Sequence, residues 1–395
     1  DSEVFSFSQT YYSVYFYCMK YWAMLLHFYQ PPTQELKITK SVLETCYLPL
    51  LRMLSEKSGF GLTLNISGTL IVQLKKSGAN EFFDLIKQLI TEGKIEMVNS
   101  VMYHPLMPIT PKDVLERQII KNSRMLKDLF GIESAAGFFP PELAVNAESL
   151  NIVKTKYIFV DENAPQPKSD KPASIVKYDG KLLLINNRQI GEMFRSYPRK
   201  LSGETVVDLV HKISGENELM VTANDAELFG HHYAERMQVL ADLLNSDKIK
   251  FIKATEAITK YGDKAQTISG INDSTWQDCQ NFDLWNKNIL QEEYLELLKT
   301  VYELTKGYLE GVAEDLMDQA YSSCYLYWLS NWPWWHPDLV GTGARNLIKC
   351  VRMSNIDNQK KSKAEKAYHI FLNKMWQYHW SGKVEVKYKE WQSQI

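Results

Sequence analysis

The sequence predicts an α/β protein built on parallel strands, with a helical region after it. Short apolar runs alternate with longer segments of helical period from about Tyr21 to Lys253, which is the pattern of strand–helix–strand units. The alternating region spans about 230 residues, a suitable length for a barrel of parallel strands. Beyond about residue 270 the alternation stops and only helical patterns remain.

The strand candidates, in order, are Ala23–His27, Gly61–Ile66, Ile95–Asn99, Ala136–Phe139, Tyr157–Val160, Leu182–Ile185, Leu219–Ala223 and Lys250–Ile252. Helical patterns fill the gaps, among them Glu81–Glu92, Thr205–Ile213 and Pro111–Phe130, which has a proline near its start where the missing N–H costs nothing. Thr267–Asp283 is polar and reads as a loop; Asn288–Gln319 and Arg345–Lys374 read as helices. Residues 1–19, rich in Ser, Tyr and Phe, fit no pattern, and no internal repeat is visible.

Composition excludes several function classes. The 395 residues carry 45 Lys plus Arg against 47 Asp plus Glu, a net charge of −2, so nothing pulls the chain as a whole toward nucleic acid or an anionic membrane. With 45% hydrophobic and 23% charged residues, disorder is not the dominant state. The 22 Tyr and 10 Trp suit a protein that stacks rings on sugars, and equally a large core. Cys18, Cys46, Cys279, Cys324 and Cys350 are scattered, with no CxxC pair or Cys/His cluster. A disulfide framework and a structural zinc site are therefore not expected, and a reducing, cytoplasmic setting is. The apolar stretch from Tyr11 to Phe28 is broken by Lys20 and lacks the basic start of a signal peptide, so neither a leader nor a membrane span is expected. No GxGxxG or GxxxxGK[ST] motif occurs, which argues against dinucleotide or phosphate-loop binding, and no cofactor or metal is expected.

Polar residues stand just past nearly every strand candidate: His27 and Gln30, Asn65, Asn99, Glu142, Asp161 with Glu162, Asn186, and Asn224 with Asp225. In a parallel barrel these positions share the carboxyl-end face where catalytic groups gather, which favours an enzyme. Two carboxylates stand out. Glu142, in GFFPPELAVN, follows Pro140 and Pro141, which stiffen the strand end. Asp225, in VTANDAELFGHHY, ends an apolar strand and precedes Glu227, Gly230, His231 and His232. Taken alone, Glu142 reads equally as a solvated loop acid and Asp225 as a helix N-cap.

Four segments in order carry a family resemblance: LLHFYQPPTQ (25–34), GKIEMVNSVMYHPLMPI (93–109), GFFPPELAVN (137–146) and NDAELFGHH (224–232). Together they resemble the motifs of glycoside hydrolase family 57. The resemblance implies an incomplete TIM-like (β/α)7 barrel over 20–268 and a helical C-terminal domain over 269–395 that contributes aromatics near the barrel mouth, with 1–19 of no assigned role. It implies a retaining enzyme acting on α-glucans, as amylases, glucanotransferases and branching enzymes do. Glu142 would be the nucleophile and Asp225 the general acid/base. His27, Gln30, Glu96, His104, Glu162, Glu227 and His231 would contact or orient substrate. Tyr29 stands where the family usually has a second His, and Trp285, Trp334 and Trp335 are candidate sugar platforms, with Trp276, Trp332 and His336 beside them. The expected partner is an oligo- or polysaccharide, and a homo-oligomer is compatible with the sequence. Two alternatives are a non-catalytic α-glucan-binding protein and a metal-dependent deacetylase or α-mannosidase-like enzyme on a related barrel. The HxD-type pairing of the metal-dependent enzymes is missing.

Overall fold

The computed structural model describes residues 19–167, 173–195, 201–279 and 281–385; the patternless stretch 1–18 lies outside them. Eight parallel strands occur where the apolar runs predict them: β1 (Lys20–Phe28), β2 (Leu62–Ile66), β3 (Ile95–Met97), β4 (Gly137–Phe138), β5 (Tyr157–Asp161), β6 (Lys181–Asn186), β7 (Leu219–Asp225) and β8 (Ile249–Phe251). The run broken by Lys20 is thus the start of β1. Burying that ammonium is tolerated because its Nζ donates to the carbonyls of Gly215 at 2.7 Å and Asn217 at 2.9 Å.

β1 is the central strand. One edge pairs with β7 over Tyr21–His27; the other pairs with β8 over Lys20–Trp22 and then with β2 over Leu25–Phe28. β2 pairs with β3, Asn99 bridges to Phe138, and β4, β5 and β6 continue in parallel. At the far side the Asn187 N–H, just past β6, donates to the Val221 carbonyl of β7 at 2.9 Å. Both faces of β1 are buried, which is why it reads as one apolar run. Its alternation places Trp22, Met24, Leu26 and Phe28 against the surrounding helices and Ala23 and Leu25 in the cluster with Phe139, Phe159, Leu184 and Val221. His27 and Asp225 continue that second face at the ends of β1 and β7.

Local chemistry sets where several helices start. Ser67, Ser202 and Asp357 accept from backbone N–H groups of the following first turn, and Asn146 and Asn288 form reciprocal capping boxes with Ser149 and Gln291. The single helical pattern over 288–319 is two helices, Ile289–Thr305 and Gly311–Ala320, broken where Gly307 and Gly311 take positive φ. Likewise 345–374 belongs to Pro337–Met353 and Asn358–Trp380. The sequence reading missed the helix Gly68–Ser77 and the strand Ile175–Tyr178, which forms an antiparallel pair with β6.

The helical part has its own core around Trp285, Tyr294, Val301, Met317, Tyr325, Leu347 and Phe371, and that cluster takes in Leu106, Val114 and Ala144 of the α/β part. An ionic contact reinforces the junction. Asp318, whose side chain is 0% exposed, receives Arg117 at 2.5 Å and Lys121 at 2.8 Å from the helix Lys112–Phe130. Removing one member of such a buried cluster strands the others. Asp318→Ala is expected to cost about 3 kcal/mol in urea unfolding, whereas Glu293→Ala, which breaks the more exposed pair with Lys374, is expected to cost under ~1 kcal/mol.

Candidate active site

The strand register sets the site. His27 lies opposite Asn65 on one side and Asp225 on the other, so the ends of β1, β2 and β7 are level. Above them opens a cleft of about 440 Å³, lined by His27, Tyr29, Gln30, His104, Glu142, Asp225 and Glu227 from the α/β part, and by Cys324, Tyr327, Trp328, Trp334 and His336 from the helical part.

Glu142 sits on a turn few residues tolerate. It has φ 59° and the following Leu143 has φ 46°, both left-handed, directly after Pro140 and Pro141. The supposed polar loop holds this turn in place. Ser274 exchanges backbone hydrogen bonds with Val145, and the Trp276 N–H and the Thr275 hydroxyl both donate to the Glu142 carbonyl, at 3.1 and 2.8 Å. The Trp276 indole N–H then donates to Glu142 Oε2 at 2.8 Å, and the Gln277 amide to the same oxygen at 3.3 Å. The loop itself is anchored by Arg188, which donates to the Thr275 and Gln277 carbonyls while paired with buried Asp161 at 2.9 Å.

Asp225 is the more accessible acid, with its side chain 34% exposed against 16% for Glu142. Arg195 Nη2 lies 3.2 Å from its Oδ2, and the same guanidinium stacks 4.5 Å above the Trp276 ring. One cation therefore sits beside both acids. Burial raises the Glu142 carboxyl above the usual range, Trp276 opposes that through its hydrogen bond, and the charge of Asp225 adds to it.

The histidines are neutral. Burial pushes His27 down to about 4 and His104 well below its ordinary value. They form a directed chain. The His27 Nδ1–H donates to Asn65 Oδ1 at 2.7 Å, so His27 Nε2 accepts from His104 Nε2–H at 3.1 Å. His104 Nδ1 then accepts from the Ser323 hydroxyl at 3.1 Å. Tyr29 stacks on His104 at 4.0 Å, and its hydroxyl lies 3.1 Å from both Ser322 Oγ and Cys324 Sγ. Glu227 Oε1 accepts from the Tyr29 N–H at 3.1 Å and from the Tyr47 hydroxyl. Burial, with the charge of Asp225, raises its carboxyl to about 8.

Five candidates fall outside the cleft. Glu96 pairs with Thr63 near the strand starts, and its oxygens are taken up by Thr63, Tyr157 and Thr255. Glu162 accepts from the Arg188 N–H and lines a separate cavity of about 730 Å³. Trp285 is wholly buried in the helical core, and Trp335 turns away to donate to His379 Nδ1 at 2.9 Å. Of the two adjacent histidines it is His232, not His231, that lines the cleft. Gln30, Tyr29, His27, His104, Glu227 and Trp334 are brought together as expected. Sequence reasoning missed Arg195, Gln277, Tyr47, Tyr327, Trp328 and Cys324, none of which stands at a strand end. Among the described residues, no three His, Cys, Asp or Glu are grouped to hold a metal ion.

The Trp276 contact makes a measurable prediction. Trp276→Phe removes the hydrogen bond that favours the Glu142 carboxylate, so the Glu142 titration midpoint moves to higher pH by about one unit, read by carboxyl-¹³C NMR.

Comparison with known proteins agrees with this geometry. The family model described as Glycosyl hydrolase family 57 matches residues 6–269. An alpha-amylase of Pyrococcus furiosus is 27% identical over 255 residues, covering 60% of this chain and 38% of its own. A 4-alpha-glucanotransferase of Thermococcus kodakarensis is 26% identical over 141 residues, 35% of this chain and 21% of its own. The chain thus spans well under half the length of these curated relatives. In structure, a 4-alpha-glucanotransferase from Thermococcus litoralis superposes with a TM-score of 0.72 at 15% identity, over 85% of this chain and 60% of that one. A branching enzyme from Pyrococcus horikoshii gives 0.68 at 14% identity, over 89% and 95%. With a family model matched over most of its length and the family's fold around the cleft, this chain belongs to glycosyl hydrolase family 57.

Proposed function

We propose that the chain is a retaining glycoside hydrolase or glucanotransferase acting on α-1,4-glucan-type substrates by double displacement, with Glu142 as nucleophile and Asp225 as general acid/base. The observation that carries this reading is the Glu142 turn. One carboxylate oxygen is fixed by Trp276 and Gln277, while the group faces a cleft that also bears the second, more open acid. A nucleophile needs a held carboxylate, and an acid/base needs access to the leaving oxygen and to the incoming acceptor.

In the first step Glu142 forms a bond to the anomeric carbon as the glycosidic C–O bond breaks, and Asp225 gives its proton to the departing oxygen. Arg195 must leave Asp225 Oδ2 for that proton to reside there, so substrate entry is coupled to a shift of Arg195. In the second step water or a sugar hydroxyl attacks the anomeric carbon, Asp225 takes its proton, and the bond to Glu142 breaks. His27, His104, Gln30, Glu227 and Tyr29 supply uncharged donors and acceptors for sugar hydroxyls. Trp334, Trp328 and Tyr327 offer ring faces.

The circuit of parallel strands β1–β7, with β8 wedged beside β1, supports the (β/α)7 barrel reading for 20–268, and the separate core supports a helical domain over 269–395. The loop through Gln277 returns to the barrel face. Free Cys46, Cys279, Cys324 and Cys350 support a reducing, cytoplasmic location.

The test is the product profile from a pure α-1,4 maltooligosaccharide. A gain of reducing ends means hydrolysis, whereas longer and shorter chains at constant reducing ends mean transfer. Glu142→Gln is expected to abolish either, and Asp225→Ala to lower kcat about 10²- to 10⁴-fold, with azide restoring turnover and giving a glycosyl azide of retained configuration. Full activity in Glu142→Gln would overturn the nucleophile, and an azide of inverted configuration would overturn the retaining assignment.

A further inference from the structure

Trp380 is the most exposed large apolar side chain among the described residues, at 75%. A single exposed ring needs no explanation, but this one is held rigidly. It stacks on Trp376, one turn earlier on the helix Asn358–Trp380, with centroids 5.7 Å apart and planes 27° apart. Trp376 meets His379 edge-on at 5.5 Å, and His379 lies parallel to Trp335 within 12°. Trp335 follows Trp334, which lines the cleft and stacks on His336. Aromatic surface therefore continues from the cleft wall to the end of the long helix.

The face around Trp380 does not have the composition of an apolar docking stripe. Helical spacing puts exposed Asn373 and Gln377 beside Trp376 and Trp380. A fixed ring face flanked by side-chain amides suits a sugar, whose C–H face stacks on the ring while its hydroxyls pair with the amides. We propose that this helix end is a second carbohydrate-binding surface, with Trp380 as its platform, that takes the outer part of a long α-glucan chain whose inner part lies in the cleft. The proposal rests on the α-glucan reading of the cleft. Continuity through Trp334 and Trp335 identifies the occupant as the same chain, and the surface adds affinity only for a ligand long enough to reach both places.

The experiment measures affinity for soluble amylopectin by affinity electrophoresis and turnover of maltopentaose, for wild type, Trp380→Ala and Trp380→Phe. Because Trp380 is mostly in water, neither substitution should disturb folding, and thermal unfolding checks this. Trp380→Ala is expected to weaken polymer binding about fivefold, Trp380→Phe to retain most of it, and both to turn over maltopentaose within about twofold of wild type. Unchanged polymer affinity in Trp380→Ala overturns the proposal. So does sedimentation showing that Trp380→Ala only dissociates a wild-type dimer, which would make the ring a contact between copies. A wild type that turns over maltopentaose but binds amylopectin no more tightly overturns the second surface and leaves the cleft reading intact. Neither turnover nor binding in wild type overturns both.

Discussion

The hydrogen bond from the Trp276 indole to Glu142 Oε2 is the contact on which the rest of the site depends. It closes a circuit between parts of the chain far apart in sequence. The strained turn after β4 fixes where the carboxylate points, the loop at 274–277 fixes one of its oxygens, and Arg188 with Asp161 fixes the loop from the end of β5. A left-handed turn without glycine costs of order 1–3 kcal/mol. Here four hydrogen bonds from Ser274 through Trp276 to Val145 and the Glu142 carbonyl hold it. The arrangement gives the carboxylate a defined direction before any ligand arrives, which a mobile loop acid would not have.

Charge in the cleft is sparse and deliberately separated from the neutral polar groups. Two carboxylates share one guanidinium, while the stacked His27 and His104 carry no proton to spare. Charged histidines would pair with Glu142 and remove its nucleophilic character; His104 Nδ1 lies only 4.0 Å from Glu142 Oε1. Burial keeps them neutral, and their hydrogen-bond chain from Asn65 to Ser323 fixes which ring nitrogen donates. Glu227, raised to about 8 by burial and by Asp225, is likewise uncharged at neutral pH, so the polar wall presents hydroxyl-binding groups without a third negative charge.

What the sequence made legible follows from periodicity. The eight strands were readable because strands buried on both faces are continuous apolar runs, and Glu142 and Asp225 because they end such runs. Trp276 could be noticed but not placed, since its partner is 134 residues away and the loop that carries it has no period. Arg195 lies inside a helical segment and gave no signal at all. Trp285 and Trp335 were misplaced because a tryptophan-rich stretch does not reveal which way each ring faces; Trp334 and Trp335 are adjacent and point to different partners. Glu96 matches a motif position, yet its register opposite Thr63 puts it near the strand starts, away from the cleft. Motif position alone does not distinguish the two ends of a strand.

Tyr29 joins the two parts of the molecule at the site. Where the family usually places a histidine, the tyrosine keeps an aromatic ring against His104 but extends its hydroxyl to Ser322 and Cys324. The far wall of the cleft, with Tyr327, Trp328 and Trp334, belongs to the same helical part, so its distance from the nucleophile is set by this contact and by the Asp318 cluster. Choice between water and a sugar hydroxyl in the second step depends on how completely that wall excludes water from the space beside Asp225. The residues that decide the reaction's outcome therefore lie outside the four motifs that identify the chemistry, and the junction between the α/β and helical parts determines how they are placed.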